Sequence, residues 1–170
     1  MRILETHRLY IERVGLDDCS FIYELMNTDS WIKYIGDRQI ENQDLSKAYI
    51  KNSYIYNYDT YGFGFYKLIL KDSNVPIGIS GFAKRKYLKH PDIGFGLLPD
   101  FEGLGYAYEA SVAVLNYGFL ELEFTTVGAI TMRSNKSSIK LIERLGLLYL
   151  KTVKTEGEEL LYYEISKSGK

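Results

Sequence analysis

The densest chemical signal in the chain is the run Pro99-Asp100-Phe101-Glu102-Gly103-Leu104-Gly105-Tyr106-Ala107-Tyr108-Glu109-Ala110. A short apolar run, Ile93 to Leu98, leads into it. A helical pattern follows at once, with Ala110, Ala113, Val114 and Tyr117 at i, i+3, i+4 and i+7. This order predicts a strand, a glycine loop and a helix start. Glycine lets the backbone turn tightly and lets a ligand approach its N–H groups. The first turn of a helix leaves N–H groups without intrahelical partners and carries about half a positive charge. A phosphate suits such a place. Gly103, Leu104, Gly105, Tyr106 and Ala107 are therefore the candidate contacts to a phosphorylated cofactor. The plain alternative is a glycine turn that only starts a helix.

Two glycine-loop chemistries do not fit. A nucleoside-triphosphate loop closes with Lys and Ser or Thr, whereas Gly105 is followed by Tyr106 and Ala107. A dinucleotide loop needs a third small residue three positions after its second glycine, and Tyr108 stands there. The stretch Glu102-Gly103-Leu104-Gly105-Tyr106-Ala107 instead resembles the coenzyme-A pyrophosphate loop of the GNAT N-acetyltransferase superfamily. That loop reads Gln or Arg, two residues, Gly, one residue, then Gly or Ala. The small positions match, and Glu102 departs from Gln or Arg. A carboxylate beside a pyrophosphate is unfavourable unless it points to solvent. Further segments match in the family's order. Glu5-Thr6-His7-Arg8-Leu9-Tyr10-Ile11 resembles the first strand of the RimJ/RimL-like branch. Pro76 to Phe82 resembles its third strand and Asp92 to Leu97 its fourth. Asn135-Lys136-Ser137-Ser138-Ile139, ending at Leu145-Gly146-Leu147, resembles its last helix.

The resemblance implies one GNAT-like domain over residues 1–170. Its fold would be mixed α/β (α+β), a central, mostly antiparallel twisted sheet flanked by about four helices. It implies acetyl transfer from acetyl-coenzyme A, as co-substrate, to an amine, with no metal. The pantetheine arm would lie along the fourth strand, near backbone groups of Phe95, Leu97 and Leu98. Asn135 stands where the family places an Asn that reaches the cofactor, and a helix N-cap explains it equally well. Ser138 would contact the cofactor or protonate the leaving thiolate; it is otherwise an ordinary first-turn serine. Many members carry a Tyr acid seven residues after the Asn, and Ile142 stands there instead. Tyr108 and Tyr149 are weaker candidates for the acid. Asp92 matches the acid that opens the family's fourth strand and is the candidate base; the alternative is an exposed strand-end carboxylate. A lysine-type amine has a pKa of about 10, so a base matters more for it than for a protein N-terminus near pKa ~8. His90 has the better unperturbed pKa for a base but precedes Pro91. Glu109 reads as a helix-face residue, and Lys84-Arg85-Lys86 with Lys89 as a solvated hairpin or an attractor of acidic groups. The family's acceptor loops correspond to Asn27–Gln43, where Trp31, Tyr34 and Ile35 are candidate substrate walls or core residues.

These groups must be positioned by one domain, the size expected for 170 residues. Apolar residues make up 46% and charged residues 25%, a globular balance. The net charge of −1 argues against nucleic-acid or membrane partners. One cysteine, Cys19, and two histidines, His7 and His90, leave no thiolate or histidine-rich metal site. The opening residues lack the apolar core of a signal peptide, so a cytoplasmic protein is expected. Sixteen tyrosines are unusual, and Tyr49, Tyr54, Tyr56, Tyr58 and Tyr61 cluster. Core packing accounts for them, or an aromatic partner surface; that surface and the family's habit make a homodimer an expectation. The periodicity predicts strands over 8–14, 63–70, 75–84, 92–98, 126–132, 147–154 and 159–166. It predicts helices near Asp17 to Met26, over 41–56, after the glycine loop, and from Asn135 to Gly146. Two other classes remain beside the enzyme: a non-catalytic coenzyme-A-binding module, to which Glu102 and Ile142 point, and a nucleotide-binding regulator using the same loop.

Overall fold

The computed structural model describes residues 1–167. Eight strands form one sheet: β1 (Arg2–Glu5), β2 (Leu9–Arg13), β3 (Phe65–Leu70), β4 (Pro76–Ala83), β5 (Asp92–Leu97), β6 (Thr126–Met132), β7 (Leu148–Thr155) and β8 (Glu158–Ser166). Their order is β1-β2-β3-β4-β5-β6-β8-β7. Every neighbouring pair is antiparallel except β5 and β6, which are parallel. The helices are α1 (Cys19–Met26), α2 (Asp29–Tyr34), α3 (Gln43–Tyr49), α4 (Tyr56–Tyr61), α5 (Tyr106–Leu120) and α6 (Lys136–Arg144). A π-helical segment, Ile50–Ile55, joins α3 to α4. Among the described residues the helical bodies number five, and the mixed, mostly antiparallel architecture is the one expected.

The expected strands and helices form, with three differences. The strand β1 adds an edge that alternation did not single out, because it is short and half exposed. It closes a hairpin with β2, in which Arg13 N–H donates to Met1 O at 2.9 Å. The expected acceptor loop contains α2, whose N-cap Thr28 accepts from Trp31 N–H. The helix expected over 41–56 runs on to Tyr61, and Gly62 ends it in the left-handed region at φ 78°. In the tyrosine cluster Tyr54 and Tyr58 are buried and belong to the core, while Tyr56 and Tyr61 are exposed and meet edge to face.

The sheet is covered on both sides. On one face Phe82 lies where a β-carbon on Gly118 of α5 would sit, 2.6 Å from it, and Tyr66 meets Tyr117 of α5. On the other face the Trp31 ring of α2 lies against Gly96 of β5, and Tyr54 meets Phe65. Alternation along β5 puts Ile93, Phe95 and Leu97 on the α5 side, and Asp92, Gly94 and Gly96 on the α2 side.

The strands β5 and β6 meet only at Asp92 and Gly128. Gly128 N–H donates to Pro91 O at 2.9 Å, and beyond that bridge the two strands part. β4 holds the other edge of β5 from Asp92 to Leu97, and β8 holds the other edge of β6 throughout. The sheet is thus split at its centre while each half stays fully paired.

Close backbone approach fixes the N-terminal half. A β-carbon on Gly81 would lie 2.2 Å from Gly64 O and 2.5 Å from Phe65 Cα. These are backbone atoms that cannot swing aside. Gly81→Ala is expected to cost about 2 kcal/mol in urea unfolding, as overpacking does. Gly157→Ala, in an open turn at φ 93°, should cost about 1 kcal/mol through its left-handed backbone alone.

Candidate active site

The glycine loop leaves β5 through a short 3-10 turn, Pro99–Phe101, and enters α5. Gly103 and Gly105 take φ of 72° and 84°, a left-handed conformation that favours glycine. Gly105 is the N-cap of α5, and no side chain caps that end. The N–H groups of Tyr106, Ala107 and Tyr108 have no acceptor among the described residues. The loop therefore offers bare backbone donors at the positive end of a 15-residue helix. Glu102 is exposed and leans toward α2, where Ser30 Oγ donates to it at 3.4 Å. Its carboxylate reaches away from the helix start, which removes the objection raised by its charge.

The open edge of β5 supplies the second part of the site. Leu98 N–H donates to Ile77 O at 2.8 Å, which sets the hydrogen-bonding alternation with β4. The backbone groups of Phe95 and Leu97 consequently face the gap toward β6. Leu98 differs from expectation: its N–H is held by Ile77, and its C=O accepts from Phe101 N–H at 3.0 Å. It offers no free backbone group and packs its side chain in the core.

Asn135 caps α6, its Oδ1 accepting from Ser138 N–H at 3.2 Å and Ser137 Oγ at 3.1 Å. Its Nδ2 has no partner among the described residues. The Ser138 hydroxyl is half-buried beside it in the first turn of α6. Ile142 is 1% exposed in the core, so nothing at that position can donate a proton. Trp31 is buried against β5 and Tyr34 half-buried at the end of α2. A β-carbon on Gly96 would lie 2.9 Å from Cζ3 of Trp31, and one on Gly94 3.0 Å from Phe65. Those glycines let two aromatic rings lie directly on the strand.

Asp92 is not an exposed strand-end carboxylate. It is 1% exposed, and Arg85 Nε donates to both of its oxygens at 3.0 Å. Burial raises its pKa to about 6 against the lowering pull of Arg85. Arg85 accordingly leaves the solvated basic run, in which Lys84, Lys86 and Lys89 stay exposed.

Sequence reasoning missed the role of Glu109. Its Oε1 accepts from Thr6 Oγ at 2.6 Å and Arg8 N–H at 2.8 Å, and its Oε2 from Arg8 Nε at 2.6 Å. Arg8 Nη1 also donates to Leu104 O at 3.1 Å. The β1–β2 hairpin is thus fastened to the glycine loop through one carboxylate. Thr6 and Arg8 stood in the opening motif, and their shared partner, about a hundred positions away, had no local signal.

These features agree with the comparisons. The acetyltransferase (GNAT) domain family matches residues 8–148, and the chain belongs to that family. It is 27% identical over 144 residues to the uncharacterized N-acetyltransferase YnaD of Bacillus subtilis, covering 85% of this chain and 81% of that one. An acetyltransferase from Agrobacterium tumefaciens superposes with a TM-score of 0.83 at 22% identity, covering 98% of this chain and 95% of that one. The microcin C7 self-immunity acetyltransferase MccE, solved with acetyl-CoA and AMP, gives a TM-score of 0.80 at 16% identity, covering 95% and 93%. Among the described residues no helix is long and apolar enough to cross a membrane, and no cluster of His, Cys, Asp and Glu could hold a metal.

Burial raises the pKa of Glu109, but the bonds from Thr6 and Arg8 outweigh it and leave the group below the ordinary glutamate range. Its contribution to stability is present above the unfolded pKa and is lost as pH falls through the folded one. Glu109→Ala should therefore lower the urea midpoint at pH 7, and the gap from wild type should narrow as the pH falls below about 4. An equal gap at every pH would mean that the carboxylate does not fasten the hairpin.

Proposed function

We propose that the protein is an N-acetyltransferase of the RimJ/RimL-like branch that transfers the acetyl group of acetyl-CoA directly to a primary amine. The acceptor is a protein N-terminus or a small-molecule amine. One observation carries this reading: the free edge of β5 leads straight to the unpaired N–H groups of Tyr106, Ala107 and Tyr108. An extended amide chain ending in a pyrophosphate matches that sequence of donors and acceptors. Phe95 and Leu97 would pair with the chain as a strand does, and Gly103 to Ala107 would hold the pyrophosphate. The free Nδ2 of Asn135 would reach the same ligand, so its capping and binding roles are compatible. For the branch, the support is the opening motif, whose Thr6 and Arg8 both serve the loop.

In this reading the amine nitrogen bonds to the thioester carbonyl carbon and the carbon–sulfur bond breaks. The amine's proton passes to Asp92 through water. The thiolate takes a proton from water or Ser138; a thiol pKa of about 8.5 makes that step undemanding near neutral pH. Asp92 shares its face of β5 with Gly94 and Gly96, where Trp31 and Tyr34 would wall the acceptor. A pKa of about 6 keeps Asp92 mostly ionised at pH 7 yet able to take a proton.

An acceptor screen that follows free thiol release tests the function. Absence of transfer to any amine, with coenzyme A still bound, would favour a non-catalytic coenzyme-A module. At a hundred times its Kd, coenzyme A should stabilise the fold by about 2.7 kcal/mol, raising Tm by about 5 °C or more. ATP should not match it; equal shifts would favour the nucleotide-binding regulator.

Wild-type turnover should rise with pH through about 6, as Asp92 ionises. Asp92→Asn should lower turnover about 10²-fold with coenzyme-A affinity retained. If the variant keeps wild-type turnover across the pH–rate profile, Asp92 only locks Arg85 and the base lies elsewhere.

A further inference from the structure

The segment from Pro99 to Glu109 carries Asp100, Glu102 and Glu109 and no Lys or Arg. A loop meant for several phosphate charges must take its cations from elsewhere. Two arginines bracket the start of α5, each held by a tyrosine of the loop motif. Arg8 stacks on Tyr106, with Cζ 4.2 Å from the ring centroid. Arg144, near the end of α6, stacks on Tyr108 at 3.8 Å. Tyr106 and Tyr108 stand first and third in the helix, so they project to different sides of it.

Both arginines have donors to spare. Glu109 and Leu104 O take Nε and Nη1 of Arg8. Its Nη2 has no acceptor among the described residues and lies 3.4 Å from where a β-carbon on Gly105 would sit. Arg144 is exposed and pairs with no carboxylate among the described residues. A cleft of about 480 Å³ joins them, lined by His7, Arg8, Gly105, Tyr108, Glu109 and Arg144. Glu109 is the one carboxylate there, and Thr6 and Arg8 occupy its oxygens.

We propose that this cleft is a second anion subsite, in which Arg8 and Arg144 take the phosphomonoester on the ribose of coenzyme A. The inference rests on the acetyl-CoA reading above and adds a specificity to it. The helix-end N–H groups face along the axis, toward the pyrophosphate. The cleft lies beside the helix, level with Tyr108 and Glu109, so it suits a phosphate displaced from that pyrophosphate. Guanidinium groups bind phosphate with paired, charge-assisted bonds, and stacking on an aromatic ring orients the fork. The space exceeds a phosphate and admits part of the nucleoside as well.

Titration calorimetry with coenzyme A and with dephospho-coenzyme A, which lacks only that phosphate, tests the subsite. Wild type should bind the dephospho form about tenfold more weakly. Arg144→Ala should remove most of that difference by weakening coenzyme A alone, and Arg144→Lys should restore part of it. The Arg144 variants carry the test because Arg8 also fastens the hairpin. Equal wild-type affinity for the two ligands, or an unchanged ratio in Arg144→Ala, overturns the subsite and leaves the acetyl-CoA reading standing. Failure of wild type to bind either ligand overturns the acetyl-CoA reading itself.

Discussion

A single parallel bridge governs this molecule. The strands β5 and β6 hold each other at Asp92 and Gly128 and nowhere else along their length. Continued pairing would satisfy the backbone groups of Phe95 and Leu97 and abolish the gap. The sheet tolerates the split because β4 and β8 keep the outer edges of the two strands fully paired. α5 and α6 then span the halves from one side, burying Ala110, Val114 and Ile142 against them. Unpaired backbone is costly inside a protein, so an opening of this kind is stable only where water or a ligand can reach it.

Two features hold the walls of the opening in place. Gly94 and Gly96 let Phe65 and Trp31 lie on the strand itself, so the wall on that face is aromatic and stiff. At the closed end Arg85 reaches back from the loop between β4 and β5 to clasp Asp92. A buried ion pair of this kind contributes little net stability, because desolvation offsets attraction. Removing Arg85 would still be expensive, since the buried Asp92 would be left without its partner. Such a pair fixes geometry more than it adds strength.

Most of the fold was legible in the sequence because its signals are local. Periodicity marked β2 to β8, Gly146 at positive φ ended α6, and Asn135 capped α6 as its residue type suggests. The loop at Gly103 and Gly105 could be read for the same reason: only a left-handed backbone needs glycine there. What escaped was set by tertiary contact. The strand β1 is too short to show a period and exists because β2 offers it an edge. Leu98 continued the apolar run, yet its register with Ile77 took away its free N–H. The alternative for Asp92, a solvated strand end, stayed open because nothing local announces that Arg85, seven positions earlier, folds over it. Glu109 was misread for the same cause, its partners lying at the far end of the chain.

The clasp between Glu109 and the residues Thr6 and Arg8 has a consequence for how the molecule is made and handled. Leu104 and Gly105 adopt their final setting against a guanidinium contributed by the first ten residues. Closing so long a span of chain is slow compared with forming the hairpin or helix at either end. The loop therefore has its native setting only where the two ends of the chain have come together. An extension fused ahead of Met1 begins within a few residues of that clasp. A tag placed there can pull on the loop without touching it.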